Sequence, residues 1–259
     1  MKQVLFFLLL CFSNALCFSQ EVTDISTDRP DQTETATTVP LKSLQIETGL
    51  TNEFSIFSRV YSNGTLLRYG LLNNFELRLE PELVCIPHDE YSNPKPKADI
   101  GIVPLGIGGK YHLSRESGIF PEFGIIASSA ILPLCSPVFQ IDFIPLKLNA
   151  AFSNTLSETF SLGYNLGIEC DGENPRLLFF YTVSLGIALS SKLGSFVETF
   201  GLFSEDFVSE SKIDAGFTYK IKPLVQLDLS GGLSTFEGIY INRYPRNPFV
   251  SIGFSFRTK

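Results

Sequence analysis

Hydrophobic and polar side chains alternate along most of this chain, and the alternation is clearest between Phe75 and Leu83. Phe, Leu and Pro occupy every second position there, and Glu or Arg occupies the positions between them. A period of two is typical of a β-strand, because successive side chains leave opposite faces of the pleated backbone. The preceding Asn73-Asn74 pair tolerates the positive φ of a tight turn. Residues 66–83 are therefore predicted to form a strand, a turn and a second strand.

The same period predicts about twelve strands, joined by alternately short and long connections. They lie at 43–57, 62–71, 75–84, 99–112, 119–130, 145–153, 160–169, 177–190, 195–203 and 212–221, from 225 to a loop at 234, and from 249 to the end of the chain. The strand at 195–203 carries Phe on both sides, so its facing stays open. The predicted long loops are 87–97, 131–144 and 234–247.

The chain begins with the features of a secretory signal peptide, predicted at residues 1–20. One lysine precedes an apolar run at 4–12, which is too short to cross a bilayer as a helix. Residues 21–42 are polar and lack an apolar period, so they are predicted to form an arm. The arm either folds into the following domain as a plug or hangs free as a tail. Residues 43–259 are predicted to form one β-domain.

Composition narrows the classes of function. The formal net charge of −7 argues against general nucleic-acid binding, which needs a basic surface. Beyond the predicted signal peptide the chain has Cys85, Cys135 and Cys170, with no CxxC motif and no Cys/His cluster. Neither a structural metal nor a cofactor is therefore predicted. We expect three ordinary thiols, the alternative being one disulfide between loops.

The residues between the apolar positions decide which solvent each face meets. Many of them are Gly, Ser, Thr, Asn and Ala, which cover a water-exposed surface poorly. In a transmembrane barrel the apolar face meets lipid, and small or charged residues line the lumen. The pattern therefore predicts an all-β, antiparallel transmembrane β-barrel of about twelve strands in the outer membrane of a Gram-negative-type bacterium. Its expected partners are outer-membrane lipid, the barrel-assembly machinery and a small-molecule solute.

Three parts of the sequence carry a family resemblance. They are 27–34 with 39–40 and 44–49, 67–71 with 75–78, and 160–167. In these parts the chain resembles the transporter-like family named for a meta-pathway of phenol degradation. The resemblance implies an outer-membrane barrel that passes small solutes, among them hydrophobic or aromatic compounds, and it brings no catalytic residues.

Charged residues on the predicted inner face are the candidates for lining the lumen: Glu47, Glu53, Glu76, Arg78, Glu80, Glu82, Lys110, Lys147, Glu169, Asp214, Lys220, Asp228 and Arg257. The candidates in the plug arm are Asp28, Arg29, Asp31 and Glu34. Charged residues inside a barrel either form a solute path or pair across a closed lumen. Since a barrel of about twelve strands is narrower than an open porin, we expect an ion network with a thin path through it.

Catalysis is not predicted. The two histidines, His88 and His112, fall at opposite ends of the predicted barrel. Ser114 shares a face with His112, but spacing alone does not establish the geometry that a nucleophile and its base need. Two classes of function remain: a channel or transporter for small solutes, and a structural or adhesive barrel that binds ligands through its outer loops.

Overall fold

The computed structural model describes residues 23–54, 59–88, 98–170, 172, 176–204, 210–237 and 247–259. The predicted signal peptide and most of the predicted loops 87–97 and 234–247 lie outside these residues. The described strands are β1 (Leu44–Phe54), β2 (Arg59–Leu72), β3 (Phe75–Glu80), β4 (Glu82–Pro87), β5 (Ala98–Ile102), β6 (Leu105–Ser114), β7 (Glu122–Ile131), β8 (Leu146–Thr155), β9 (Phe160–Cys170), β10 (Leu178–Ala188), β11 (Leu193–Phe203), β12 (Glu210–Lys222), β13 (Val225–Glu237) and β14 (Phe249–Arg257).

These strands form one antiparallel sheet that closes on itself, because β1 pairs with both β2 and β14. β3 and β4 are one barrel strand interrupted at Pro81, which has no N–H to donate, and their register against β2 continues across the break. β5 and β6 together form a second interrupted barrel strand, with the break at Val103-Pro104. Their register against β4 and β3 shifts by one residue at this break, as in a β-bulge. The barrel therefore has 12 strands, and the predicted fold class is confirmed.

Apolar side chains cover the outside of the barrel and polar ones fill its inside. Leu50 is 61% exposed and Ile252 58%, whereas Arg68 is 1% exposed and Glu47 and Lys110 are fully buried. A water-soluble β-sandwich would bury the first group and expose the second. The reverse arrangement suits a barrel surrounded by lipid. This is the architecture of an outer-membrane protein, as the sequence predicted.

Aromatic rings stack on the outer face near both ends of the strands. The rings of Phe123 and Phe152 lie 4.7 Å apart between centroids, and those of Phe152 and Tyr164 lie 5.1 Å apart. Toward the opposite end, the rings of Tyr181 and Phe203 are 5.4 Å apart. Aromatic side chains at these two levels are typical of the membrane–water interfaces.

Several boundaries differ from the prediction. The strand expected at 119–130 begins at Glu122, because Ser117 and Phe120 form a bridge within the preceding turn. The strand expected to end at a loop beginning at 234 continues to Glu237. The predicted loop 131–144 contains a turn of 3-10 helix, Pro137–Phe139, and none of the described helical segments is long and apolar enough to cross a membrane.

The three cysteines that were expected to be ordinary thiols are free in the structure. They are Cys85, Cys135 and Cys170. The alternative of a disulfide between two of the loops is therefore wrong.

Candidate functional site

The arm runs inside the barrel. It enters at the end where the short turns lie, since the Ile25 N–H donates to the carbonyl of Pro223 in the turn between β12 and β13 at 2.7 Å. It returns to the wall just before β1, where the Lys42 N–H donates to the Gly70 carbonyl at 2.7 Å. Between these points residues 26–39 lie among side chains of the inner face.

Asp28 of the arm lies at the centre of a buried ion network. Its Oδ2 atom is 2.8 Å from Lys110 Nζ, 2.8 Å from Arg78 Nη1 and 3.3 Å from Arg68 Nη1. Burial alone would raise the pKa of the Asp28 carboxyl, but the three positive charges hold this pKa well below its usual range. Asp28 is therefore ionised, and its charge ties the arm to β2, β3 and β6.

The same cations also bind carboxylates of the wall. Arg68 Nε and Nη2 donate to the two oxygens of Glu76 at 2.8 and 3.0 Å, and Nη1 donates to Glu47 at 3.0 Å. Arg78 Nη2 lies 2.6 Å from Glu34 Oε2 of the arm. Bidentate arginine–carboxylate pairs are strong, but a buried charge that loses one partner becomes costly. The network is therefore most stable with the arm in place.

Side chains of the wall also accept hydrogen bonds from the arm backbone, which has no sheet or helix of its own. The N–H groups of Asp28 and Arg29 donate to Glu47 Oε2 at 2.8 and 3.1 Å. The Val39 N–H donates to Glu76 Oε2 at 2.7 Å. Since buried backbone donors need partners, these carboxylates position the arm as well as neutralising Arg68 of the wall.

Glycines on the inner face give the arm its space. A Cβ atom at Gly124 would lie 2.5 Å from the Ala36 carbonyl oxygen, and one at Gly163 would lie 2.9 Å from Thr33 Cγ2. In contrast, a Cβ at Gly64 of β2 would meet nothing within 4 Å. The arm therefore approaches the backbone of the wall closely at Gly124 and Gly163 and leaves Gly64 open.

The tip of the arm, residues 31–33, separates two cavities. The outer cavity, of about 220 Å³, lies above Gln32 and is lined among others by Lys147, Phe180, Phe200 and Lys212. The inner cavity, of about 330 Å³, lies toward the short turns and includes Arg29, Asp31, Ser161, Phe196 and Lys220 in its wall. The two cavities follow the same side of the barrel, so the arm tip stands between them.

The predicted lumen residues all lie on the inner face, but only some reach the arm. Those in contact with it are Glu47, Glu76, Arg78, Lys110, Lys220, Asp228 and Arg257. Three of the others form ion pairs with neighbouring strands or within a strand: Lys147 lies 3.9 Å from the predicted Glu169, Glu53 lies 3.2 Å from Lys212, and Glu80 lies 3.5 Å from Arg78. Glu82 lies two residues before the buried Val84 in β4. Asp214 is the register partner of Glu198. The arm candidates Asp28, Arg29, Asp31 and Glu34 all bind the wall. A role in a solute path stays a prediction for each of them.

Sequence reasoning missed two central residues, Arg68 and Glu198. Arg68 alternates with Leu67 and Tyr69, so the period of two was sufficient to place it on the inner face. Glu198 lies between Phe196 and Phe200, which also face inward and hide the alternation.

Comparison with known families bears on the second half of the barrel. Residues 146–258 match the model of the family described as "Putative MetA-pathway of phenol degradation". The predicted family resemblance is confirmed. The matched residues begin at β8 and end just after β14, so they include the family motif at 160–167 but neither the arm nor the hairpin of β2 and β3.

Solved structures that share the fold are outer-membrane proteins. An outer-membrane channel from Pseudomonas putida F1 superposes with a TM-score of 0.67 at 10% identity, covering 90% of this chain and 100% of that chain. The KdgM porin superposes with a TM-score of 0.56 and the NanC porin with 0.55, each at 10% identity and covering 82% of this chain and 98% of the porin. No curated protein sequence is significantly similar to this one. At such low identity the superpositions show a shared fold.

Proposed function

We propose that this protein is an outer-membrane channel for small solutes and that the N-terminal arm closes its lumen. The observation that supports this most is the arm tip standing between two cavities on the same side of the barrel. A barrel that served only as a scaffold for outer loops would gain nothing from empty space on both sides of a docked segment. Withdrawal of the arm would join the two cavities into one path.

The lining of the outer cavity supports a solute that combines a ring or apolar body with a polar group. Phe180 and Phe200 supply apolar surface, and Lys147 Nζ lies 4.6 Å from the centre of the Phe180 ring. A cavity of about 150 Å³ accommodates benzene, so this one has room for a single-ring molecule. A hydrophobic or aromatic solute, as the sequence suggested, is therefore part of the proposal.

A catalytic role is not proposed. His88 Nε2 lies 2.9 Å from Asp99 and His112 Nε2 lies 3.1 Å from Glu122, so each ring faces a carboxylate at its own end of the barrel. We also propose the barrel-assembly machinery as a partner, because a closed transmembrane sheet has to be inserted with all its backbone groups paired.

The experiment is solute flux into proteoliposomes that contain the folded protein. The full chain and a chain lacking residues 21–40 are compared with empty liposomes, using arabinose and 4-hydroxybenzoate as solutes that cross lipid slowly. We expect faster flux through the shortened chain than through the full chain. No flux through either protein would contradict the channel and leave ligand binding by the outer loops as the function.

A further inference from the structure

Two carboxylates lie side by side on adjacent strands of the inner face, directly behind the arm tip. Glu198 of β11 and Asp214 of β12 are partners in the register, and they are 2% and 4% exposed. Like charges placed directly opposite each other on one face of a sheet destabilise it. Neither carboxylate of such a buried pair keeps its full charge without compensation.

The arm adds a third carboxylate to this pair. Asp31 accepts a hydrogen bond from Ser184 Oγ at 2.9 Å, and Ser184 is the register partner of Glu198 on its other side. Glu198 itself accepts from Thr33 Oγ1 at 2.5 Å and from the Gln32 N–H at 2.7 Å. Glu198 is therefore the main attachment point of the arm tip, and it lies between Asp31 and Asp214.

Asp214 is the unusual member of this carboxylate row, which consists of Asp31, Glu198 and Asp214. No N–H or hydroxyl group of the described residues donates to either of its carboxyl oxygens, although the side chain is buried. A buried carboxyl in this position is most stable when it carries a proton, since it then donates to a neighbouring carboxylate and loses its charge.

Cations near the row pair with carboxylates outside it. Arg29 of the arm donates to Asp228 of β13 at 3.1 Å and to Ser251 at 2.9 Å. Lys212 of β12 lies 3.2 Å from Glu53. Lys220 and Lys147 line the two cavities beside the arm tip; Lys220 lies 2.5 Å from Asp24, and Lys147 lies 3.9 Å from Glu169. Farther along the arm, Arg68, Arg78 and Lys110 neutralise Asp28, and Glu34 pairs with Arg78. β10 contributes the hydroxyls of Thr182 and Ser184.

A metal ion does not explain the row. Within the described part of the chain, no group of three or more His, Cys, Asp or Glu side chains has the geometry to hold one. A proton needs only two oxygens at hydrogen-bond distance, and the register supplies neighbouring carboxylates.

We propose that protons bound by Asp31, Glu198 and Asp214 hold the arm tip against the barrel wall, and that their loss at higher pH releases the tip and joins the two cavities. The joining of the two cavities rests on the proposed channel function, whereas the proton-dependent docking of the tip does not. It makes the carboxylate row a pH-sensitive latch.

The direction of the pH effect follows from the proton balance. Burial raises the pKa of Asp31 in the docked arm, and the negative charge of Glu198 raises it further. The docked state therefore binds a proton that the free arm releases at the same pH. Docking is most favourable at low pH and weakens as the pH rises through the docked-state pKa. For one linked proton, the docking constant falls about tenfold per pH unit between the pKa of the free arm and the docked-state pKa, and it no longer changes above the docked-state pKa.

The test is fluorescence of the variant Gln32→Trp, because the chain has no other Trp. Gln32 borders the outer cavity and holds Glu198 through its backbone, which the substitution retains. Quenching by acrylamide is measured between about pH 5.5 and about pH 8.5 in the otherwise unchanged chain and in the chain that also carries Asp31→Asn and Asp214→Asn. Both amides keep the shape of the row, and the amide oxygen introduced at position 31 can still accept a hydrogen bond from Ser184.

We expect quenching to rise with pH in the unchanged row and to stay at its low-pH value at every pH in the doubly substituted one. A control with Glu122→Gln removes a lumen carboxylate that faces His112 instead, and its pH curve should match the unchanged row. Quenching that is independent of pH in the unchanged row, or a doubly substituted chain with the same curve, would overturn the latch. Conductance measured in parallel separates the two proposals: release of the tip without current would contradict the channel and not the latch.

Discussion

At the scale of single residues, Asp28 decides whether the arm is held. It meets three cations through a side chain that is 3% exposed, whereas Asp24 of the same arm pairs with Lys220 at 2.5 Å through a side chain that is 55% exposed. Removing one partner of a buried ion pair leaves the others uncompensated, but an exposed pair contributes little. The two aspartates should therefore respond differently to the same substitution.

We predict that Asp28→Asn weakens docking of the arm by about 3 kcal/mol, and that Asp24→Asn changes it by less than about 1 kcal/mol. The measurement is a urea titration of Trp fluorescence in the Gln32→Trp background, at concentrations where the barrel stays folded. Equal effects of the two substitutions would mean that the ion network does not hold the arm.

The residue scale also shows what the sequence could and could not predict. The inward positions of Arg78 and Lys110 followed from alternation alone. Their common partner, Asp28, did not, because contacts between the arm and residues 50 to 82 positions away have no local pattern. Of the carboxylate row, Asp31 and Asp214 were predicted, and Glu198 was missed because aromatic residues face both sides of β11.

At the scale of elements, the arm and the inner face fit each other by shape. The arm has neither sheet nor helix, and small residues of the wall let it approach closely. Its composition, rich in Thr and Asp, indicated only an irregular segment. Its place inside the barrel depends on the glycines and carboxylates of distant strands, so the sequence left a plug and a free tail as alternatives.

We predict that Gly124→Val displaces the arm and that Gly64→Val does not. A side chain at Gly124 collides with the Ala36 backbone, whereas the same change at Gly64 meets open lumen. Both glycines lie on the inner face, so the pair is a matched control. The check is acrylamide quenching of Trp at position 32, which should rise only in Gly124→Val. If both variants match the parent protein, the arm is not seated against β7.

At the scale of the whole molecule, alternation predicted nearly everything about the barrel, because lipid outside and polar residues inside impose a period of two on every strand. The interruptions at Pro81 and Val103-Pro104 were not predicted as breaks. The register is kept across Pro81 and shifts by one residue at Val103-Pro104. Because of this shift, Ile100 and Ile107 both face outward, although one has an even and the other an odd residue number.

We predict that the barrel does not need the arm for its closure, because β1 and β14 pair along their whole length without it. Both the full chain and a chain lacking residues 21–40 should migrate faster in a detergent gel before boiling than after boiling. Loss of this shift only in the shortened chain would show that the arm is required for folding rather than for closing the lumen.

The central claim is that the docked arm closes a channel, and single-channel recording in planar bilayers tests it most directly. The full chain and the chain lacking residues 21–40 are recorded under identical salt and voltage, after the gel has shown both to be folded. We predict rare or small openings for the full chain and larger, sustained openings for the shortened one. Equal conductance of the two chains would contradict closure by the arm, and the absence of openings from both would contradict the channel.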